Sequence, residues 1–154
     1  MLGRWAKKLG LAEADAVRWR AAGVLHDALK DAPDEELHEL AGVGWPPAVV
    51  HAPACAARLE LDGVEDRPLL DAIAYHPVGH PDLDDLGEYL ILADYLEPGR
   101  SHLKAKHTRL RDRLPADRSA VLTEVLAARL QRLLAKESTI LASTVDHWNR
   151  LVGR

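Results

Sequence analysis

Asp82-Leu83-Asp84-Asp85-Leu86-Gly87-Glu88-Tyr89-Leu90-Ile91-Leu92-Ala93-Asp94-Tyr95-Leu96-Glu97-Pro98-Gly99 is the stretch on which the reading of this chain turns. Leu86, Tyr89, Leu90 and Ala93 recur at three- and four-residue spacing, which predicts a helix from Asp82 to Leu96 with those residues inward. Glu97-Pro98-Gly99 closes it, because proline cannot continue a helix and glycine suits the turn that follows. Asp94 falls one turn before that end, beside the apolar face, where a carboxylate requires a partner.

The same punctuation recurs on both sides. Asp66-Arg67-Pro68 opens a helix that runs to Tyr75-His76 and stops at Pro77, with Gly79 and Pro81 in the next loop. Pro46-Pro47 suits a helix start, so a helix from about Pro47 to Leu61 is expected, with His51 on its second turn and Pro53 bending or restarting it. Asp31-Ala32-Pro33-Asp34 breaks the chain before a short acidic helix to about Leu40, ended by Gly42 and Gly44. From about Ala12 to Lys30 a helix carries Ala16, Trp19, Gly23 and Leu25 to Leu29 as its stripe, with His26 and Asp27 on it. Residues 1 to 10 read as the last turns of a helix ended by Gly10.

Downstream, a basic helix is expected from Ser101 to about Leu114. A longer amphipathic stretch follows Pro115, with Leu122, Val125, Leu126, Leu130, Leu133 and Leu134 along one side. Ala, Leu, Arg, Asp and Glu dominate, Phe is absent and β-branched runs are scarce, so the fold class is all-α. The 154 residues contain no low-complexity linker and suffice for one core. Residues 1–154 are therefore expected to form a single helical bundle of about seven to eight helices.

Charge and cysteine content bound the function. A net charge of −4 argues against a protein built mainly to coat nucleic acid. Cys55 is the only cysteine, which excludes an intramolecular disulfide and a Cys-rich zinc knuckle. The early lysines break up any signal-peptide core, and no stretch approaches about 18 uncharged apolar residues. The expectation is a soluble, cytoplasmic protein with no membrane partner.

His26-Asp27, His51, His76 and Asp94 each sit on or beside the apolar face of a different predicted helix. Imidazoles and carboxylates converging from four helices form a site for a divalent metal, and this donor mix suits iron, manganese or zinc. The alternative for His26-Asp27 is a capped, solvated pair.

The segments Val24-Leu25-His26-Asp27-Ala28-Leu29-Lys30, His51-Ala52-Pro53, Ala72-Ile73-Ala74-Tyr75-His76-Pro77-Val78-Gly79 and Leu92-Ala93-Asp94-Tyr95-Leu96-Glu97-Pro98-Gly99-Arg100 together resemble the HD-domain superfamily. More narrowly they resemble the YqeK-type symmetrical diadenosine tetraphosphate hydrolases, over nearly the whole chain; the run from Ala93 to Arg100 is the most specific part. The resemblance implies two metals, with His26, Asp27 and Asp94 at the first, His51 and His76 at the second, and Asp27 bridging both. It implies iron, with manganese or zinc as alternatives, and attack of a metal-bound hydroxide on phosphorus to give two ADP. It places that family's first metal-binding histidine just upstream of Met1, so either the true start lies upstream or a ligand of the first metal is absent. Pro77-Val78 stands where the family carries a small hydroxyl residue before the glycine matched by Gly79, which removes a phosphate hydrogen bond.

Asp27 and Lys30 are the catalytic candidates, and Lys30, Gly79 and Arg100 the substrate-binding ones. Lys30 and Arg100 direct cations at a polyphosphate, unless Lys30 is an ordinary snorkelling surface lysine. Glu97 is either a partner of the site or a C-terminal turn residue. His38, His102, His107 and His147 lie in charged stretches and are expected on the surface, and His80 either touches metal or substrate or is a loop histidine between turn residues. Trp5, Trp19, Trp45 and Trp148 are expected as core volume. Cys55, one turn after His51, is expected as a small buried residue.

Between Arg100 and Arg118 seven Lys or Arg residues face only Asp112 and Asp117. That segment either attracts an anionic dinucleotide or is a solvated helix face. Two other readings compete with a hydrolase. One is a non-catalytic nucleotide-binding or regulatory module, and the other a helical nucleic-acid-binding protein using the basic segment. The Leu and Ala stripes of the last helices serve as core or as a homodimer face.

Overall fold

A computed structural model describes residues 1–98 and 104–153, and among them the chain forms nine α-helices and no strand. They are α1 (Leu2–Lys8), α2 (Glu13–Leu25), α3 (Asp34–Ala41), α4 (His51–Leu61), α5 (Arg67–Tyr75), α6 (Asp85–Tyr95), α7 (Lys104–Asp112), α8 (Arg118–Ala135) and α9 (Ala142–Val152). The helix count exceeds the expected seven to eight because the stretch after Pro115 divides. Glu137 takes a positive φ of 51° and the Ser138 N–H returns to the Leu133 carbonyl at 2.9 Å, which ends α8 before α9 begins.

α6 is the central helix. Asp84 caps it by accepting the Gly87 N–H at 3.0 Å, so it starts at Asp85 rather than Asp82. Every residue from Leu86 to Leu92 is buried, not only the predicted inward stripe, because α1, α2, α5 and α8 all pack against it. Trp5 and Trp19 flank the Tyr89 ring at centroid distances of 5.5 and 5.0 Å, so two of the four tryptophans are core as expected. Trp45 and Trp148 are only half-buried. Glu88, the one charged residue buried in α6, receives Arg150 of α9 at 2.6 Å and Arg118 of α8 at 3.4 Å.

Asp66 caps α5 by accepting the Leu69 N–H at 3.1 Å, and Arg18 of α2 forks onto the same carboxylate, with Nη2 2.9 Å from Oδ1. One side chain thus starts α5 and fixes its position against α2. At its other end α5 stops at Tyr75 with His76 as its C-cap, as Pro77 requires.

Two histidines expected on the surface are buried: His107 is 1% exposed and His147 fully enclosed. His107 lies three residues before Leu110 on the inner face of α7 and packs on the Tyr95 ring at 5.0 Å. His147 shares the inner face of α9 with Thr144 and Leu151. Their charged sequence neighbours point outward and conceal the helical period. His38 is exposed as expected, and His102 lies outside the described residues. In the basic segment, Arg113 pairs with Asp117 and Glu124, Arg118 with Asp85, and Arg111 donates to the Leu96 carbonyl at 2.5 Å. These cations tie helices together. Among the described residues no helix is long and apolar enough to cross a membrane.

Candidate metal centre

α2 ends at Leu25, and His26 to Lys30 form tight turns closed by Ala28 N–H to Leu25 O and Lys30 N–H to Asp27 O, each at 3.0 Å. The predicted helix through Lys30 is therefore corrected: His26 and Asp27 sit in a turn. Nothing between Leu25 and Pro33 breaks a helix locally. The Leu25 carbonyl also accepts the S–H of buried Cys55 at 3.0 Å, a contact made across 30 positions of sequence. His51 is also placed differently, as the first residue of α4 rather than on a second turn. Residues 47–50 are turns, and Pro53 falls in the first turn of α4, where its missing N–H costs no helical bond.

The two oxygens of Asp27 face different partners. Oδ1 lies 3.2 Å from His51 Nε2 and 3.6 Å from His76 Nε2. Oδ2 lies 3.7 Å from His26 Nε2 and 2.5 Å from Lys30 Nζ. The rings of His26 and His76 meet edge to face at 4.9 Å, and those of His51 and His76 at 5.7 Å. Three turns or helix ends thus bring three imidazoles around one carboxylate.

Backbone carbonyls orient two of those rings. His76 Nδ1 is 2.8 Å from the Ile73 carbonyl and His26 Nδ1 is 3.1 Å from the Gly23 carbonyl. A carbonyl only accepts, so each Nδ1 carries a proton and each ring turns its Nε2 toward Asp27. Burial pushes the His76 imidazolium down to about 4, against the Ile73 carbonyl and the Asp94 charge, and burial lowers His51 as well. Burial alone would raise the Asp27 carboxyl, but the Lys30 hydrogen bond and the charges of His26 and His76 hold it below the ordinary range. Near neutral pH the cluster is one carboxylate amid imidazoles of which His51 and His76 are neutral.

Such a cluster fits a metal. Asp27 Oδ1 and His51 Nε2 are both shielded from water, and neither has a hydrogen-bond partner other than the atom facing it at 3.2 Å. Donors each about 2.1 Å from one ion stand roughly 3.0–3.5 Å apart, close to the separations seen here. His26, Asp27 and His76 offer ligand atoms all within 4.8 Å of one another.

Asp94 is the penultimate residue of α6, and its charge acts on both His51 and His76. Its Oδ2 receives Arg129 Nη2 of α8 at 2.8 Å, and both side chains are 14% exposed. Sequence reasoning missed Arg129. The available signal was its place on the α8 stripe, four residues after Val125 and three after Leu126, where a cation needs a reason.

The remaining candidates separate. Lys30 is 53% exposed but touches Asp27. Gly79 has a φ of +85°, donates its N–H to the Tyr75 carbonyl at 2.6 Å, and lies against the His147 ring. His80 stacks on Tyr75 at 4.5 Å, and its Nδ1 accepts the Asp82 N–H at 3.2 Å. Glu97 is exposed, the turn-residue alternative. Arg100 lies outside the described residues.

An all-helical bundle with a His-Asp pair in a turn, facing histidines at one helix start and one helix end, defines a class. The chain belongs to the HD domain family, which matches residues 1–99. It is similar to the symmetrical bis(5'-nucleosyl)-tetraphosphatase of Bacillus subtilis (strain 168), 28% identical over 149 residues that cover 91% of this chain and 79% of that one. It is also similar to the Staphylococcus aureus protein of the same name, 25% identical over 89% of this chain and 75% of the relative. A Clostridium acetobutylicum structure, described as a predicted HD superfamily hydrolase involved in NAD metabolism, superposes with a TM-score of 0.84 at 24% identity. That match covers 99% of this chain and 84% of that one, and the likeness establishes the fold.

Proposed function

We propose that this protein is a divalent-metal-dependent phosphohydrolase that cleaves diadenosine tetraphosphate symmetrically into two ADP. The observation that carries the reading is Asp27, one carboxylate whose Oδ1 faces His51 and His76 while its Oδ2 faces His26. In this reading Asp27, His26, Asp94, His51 and His76 would hold two divalent cations, with Asp27 shared between them. The names borne by the Bacillus and Staphylococcus relatives support the substrate. The donor set of imidazole and carboxylate suits iron, manganese or zinc, and the family resemblance favours iron. A reducing cytoplasm suits both iron and the lone thiol of Cys55.

When bound, the cations supply an activated water and neutralise charge on the phosphate oxygens. The chain's own residues do the rest. The Ile73 and Gly23 carbonyls hold the His76 and His26 rings with Nε2 inward. Lys30, beside Asp27 and half in solvent, is placed to reach a phosphate oxygen of a bound polyphosphate. Gly79 contributes shape, since its N–H is already committed to Tyr75.

The test combines elemental analysis of the purified protein with product analysis on diadenosine tetraphosphate. Two ADP per substrate from metal-loaded protein supports the reading. AMP plus ATP would overturn symmetrical cleavage, and absence of turnover by metal-loaded protein would overturn the hydrolase assignment.

A further inference from the structure

We infer that Arg129 is the positioning residue of this centre, a guanidinium in α8 that holds the Asp94 carboxylate and the carbonyl end of α5 in one rigid frame. The inference rests on the metal-centre reading above and extends it beyond residues 1–99, the part that matches the family.

Arg129 spends its fork on two elements that carry site residues. Nη2 donates to Asp94 Oδ2 at 2.8 Å and to the Ile91 carbonyl at 3.5 Å, both on α6. Nη1 donates to the His76 carbonyl at 2.8 Å and the Pro77 carbonyl at 3.3 Å, at the end of α5. The guanidinium also lies 5.7 Å from the centre of the Tyr95 ring, which limits its freedom. These carbonyls follow the last turn of α5, where a helix leaves acceptors without internal donors. One planar cation therefore sets the distance between the His76 ring and the Asp94 carboxylate. A lysine carries the same charge but cannot reach both elements with fixed geometry.

A packing role alone predicts lost stability. A positioning role predicts lost metal affinity even when the charge is retained. The experiment titrates Mn2+ into metal-free protein, reading free Mn2+ by electron paramagnetic resonance, for the parent, R129Q, R129K and R150Q. Arg150 is the comparison because it too makes a charged pair to a carboxylate of α6, Glu88, away from the centre. R129Q and R129K are expected to weaken Mn2+ binding by roughly 10–100-fold, the range for loss of a residue that orients a metal ligand. R150Q is expected to lower Tm with Mn2+ affinity within about twofold of the parent. R129K binding Mn2+ like the parent overturns the inference, as does R150Q weakening it equally. Should R129Q fail to fold, R129K decides alone. A parent that binds no Mn2+ removes the metal-centre reading and this inference together, whereas a binding parent with an unaffected R129K removes only the inference.

Discussion

Asp27 Oδ1 and His51 Nε2 stand 3.2 Å apart, both sheltered from water. A carboxylate oxygen and an imidazole nitrogen at that distance, each lacking another partner, repel unless a proton or a cation lies between them. A neutral imidazole can carry its proton on Nε2 and bridge the two, and a divalent cation in that place would take both atoms as donors at once. Asp27→Ala is therefore expected to lose bound metal and to reduce hydrolysis by more than about 100-fold, beyond what loss of an orienting residue costs. Metal content and ADP release check this together; unchanged turnover in the variant removes the metal-centred mechanism.

The metal-free protein should lose stability as pH falls from about 6.5 to about 4. His76 binds its proton near 6.5 in the unfolded chain and only near 4 when folded. In that window the unfolded state holds the extra proton, so stability is full above it and declines through it. A gap of roughly 2.5 units corresponds to about 3 kcal/mol, and His51 acts in the same sense. Urea midpoints in chelator from pH 7.5 to 4 measure the slope. His76→Gln should flatten it, and an equally steep slope in that variant would assign the loss to other groups.

What was legible in the sequence follows from how local each cause is. Asp66 and Pro68 open α5 and Pro77 closes it through chemistry within a few residues, and both ends lie where predicted. The end of α2 coincides with a contact from Cys55 to the Leu25 carbonyl across 30 positions, so no local pattern announces it and the apolar stripe alone extends the helix over His26-Asp27. His26 and Asp27 nevertheless meet His51 and His76, because a turn at the end of α2 carries them to the same place as the helix would. Arg129, His107 and His147 escaped for related reasons. Arg129 is a single polar residue within the apolar stripe of α8, and outward-facing charged neighbours mask the two histidines.

Lys30→Ala separates substrate contact from folding. At 53% exposure its ion pair with Asp27 contributes little to stability, within about 1 kcal/mol after solvent screening. The KM for diadenosine tetraphosphate is expected to rise about tenfold, the loss of one charge-assisted phosphate contact. Lys30 also helps hold the Asp27 carboxyl below its ordinary range, so removing it should move the acid limb of metal binding to higher pH. Steady-state kinetics and Mn2+ titrations across pH read the two effects, and an unchanged KM would make Lys30 a surface lysine.

Gly79→Ala tests how the loop after His76 is held. At φ +85° a side chain is strained regardless of space, and the added Cβ would stand 2.4 Å from His147 Nδ1. His147 is fully buried on α9, so its ring has no room to retreat. Strain and overlap together are expected to cost about 2–4 kcal/mol in urea unfolding. The two causes separate in a double-mutant cycle with His147→Ala, which removes the ring and leaves the backbone strain. Gly79→Ala should then cost about 1–2 kcal/mol less than in the parent. An identical cost in both backgrounds would place the whole penalty on the backbone and remove α9 as the wall behind this loop.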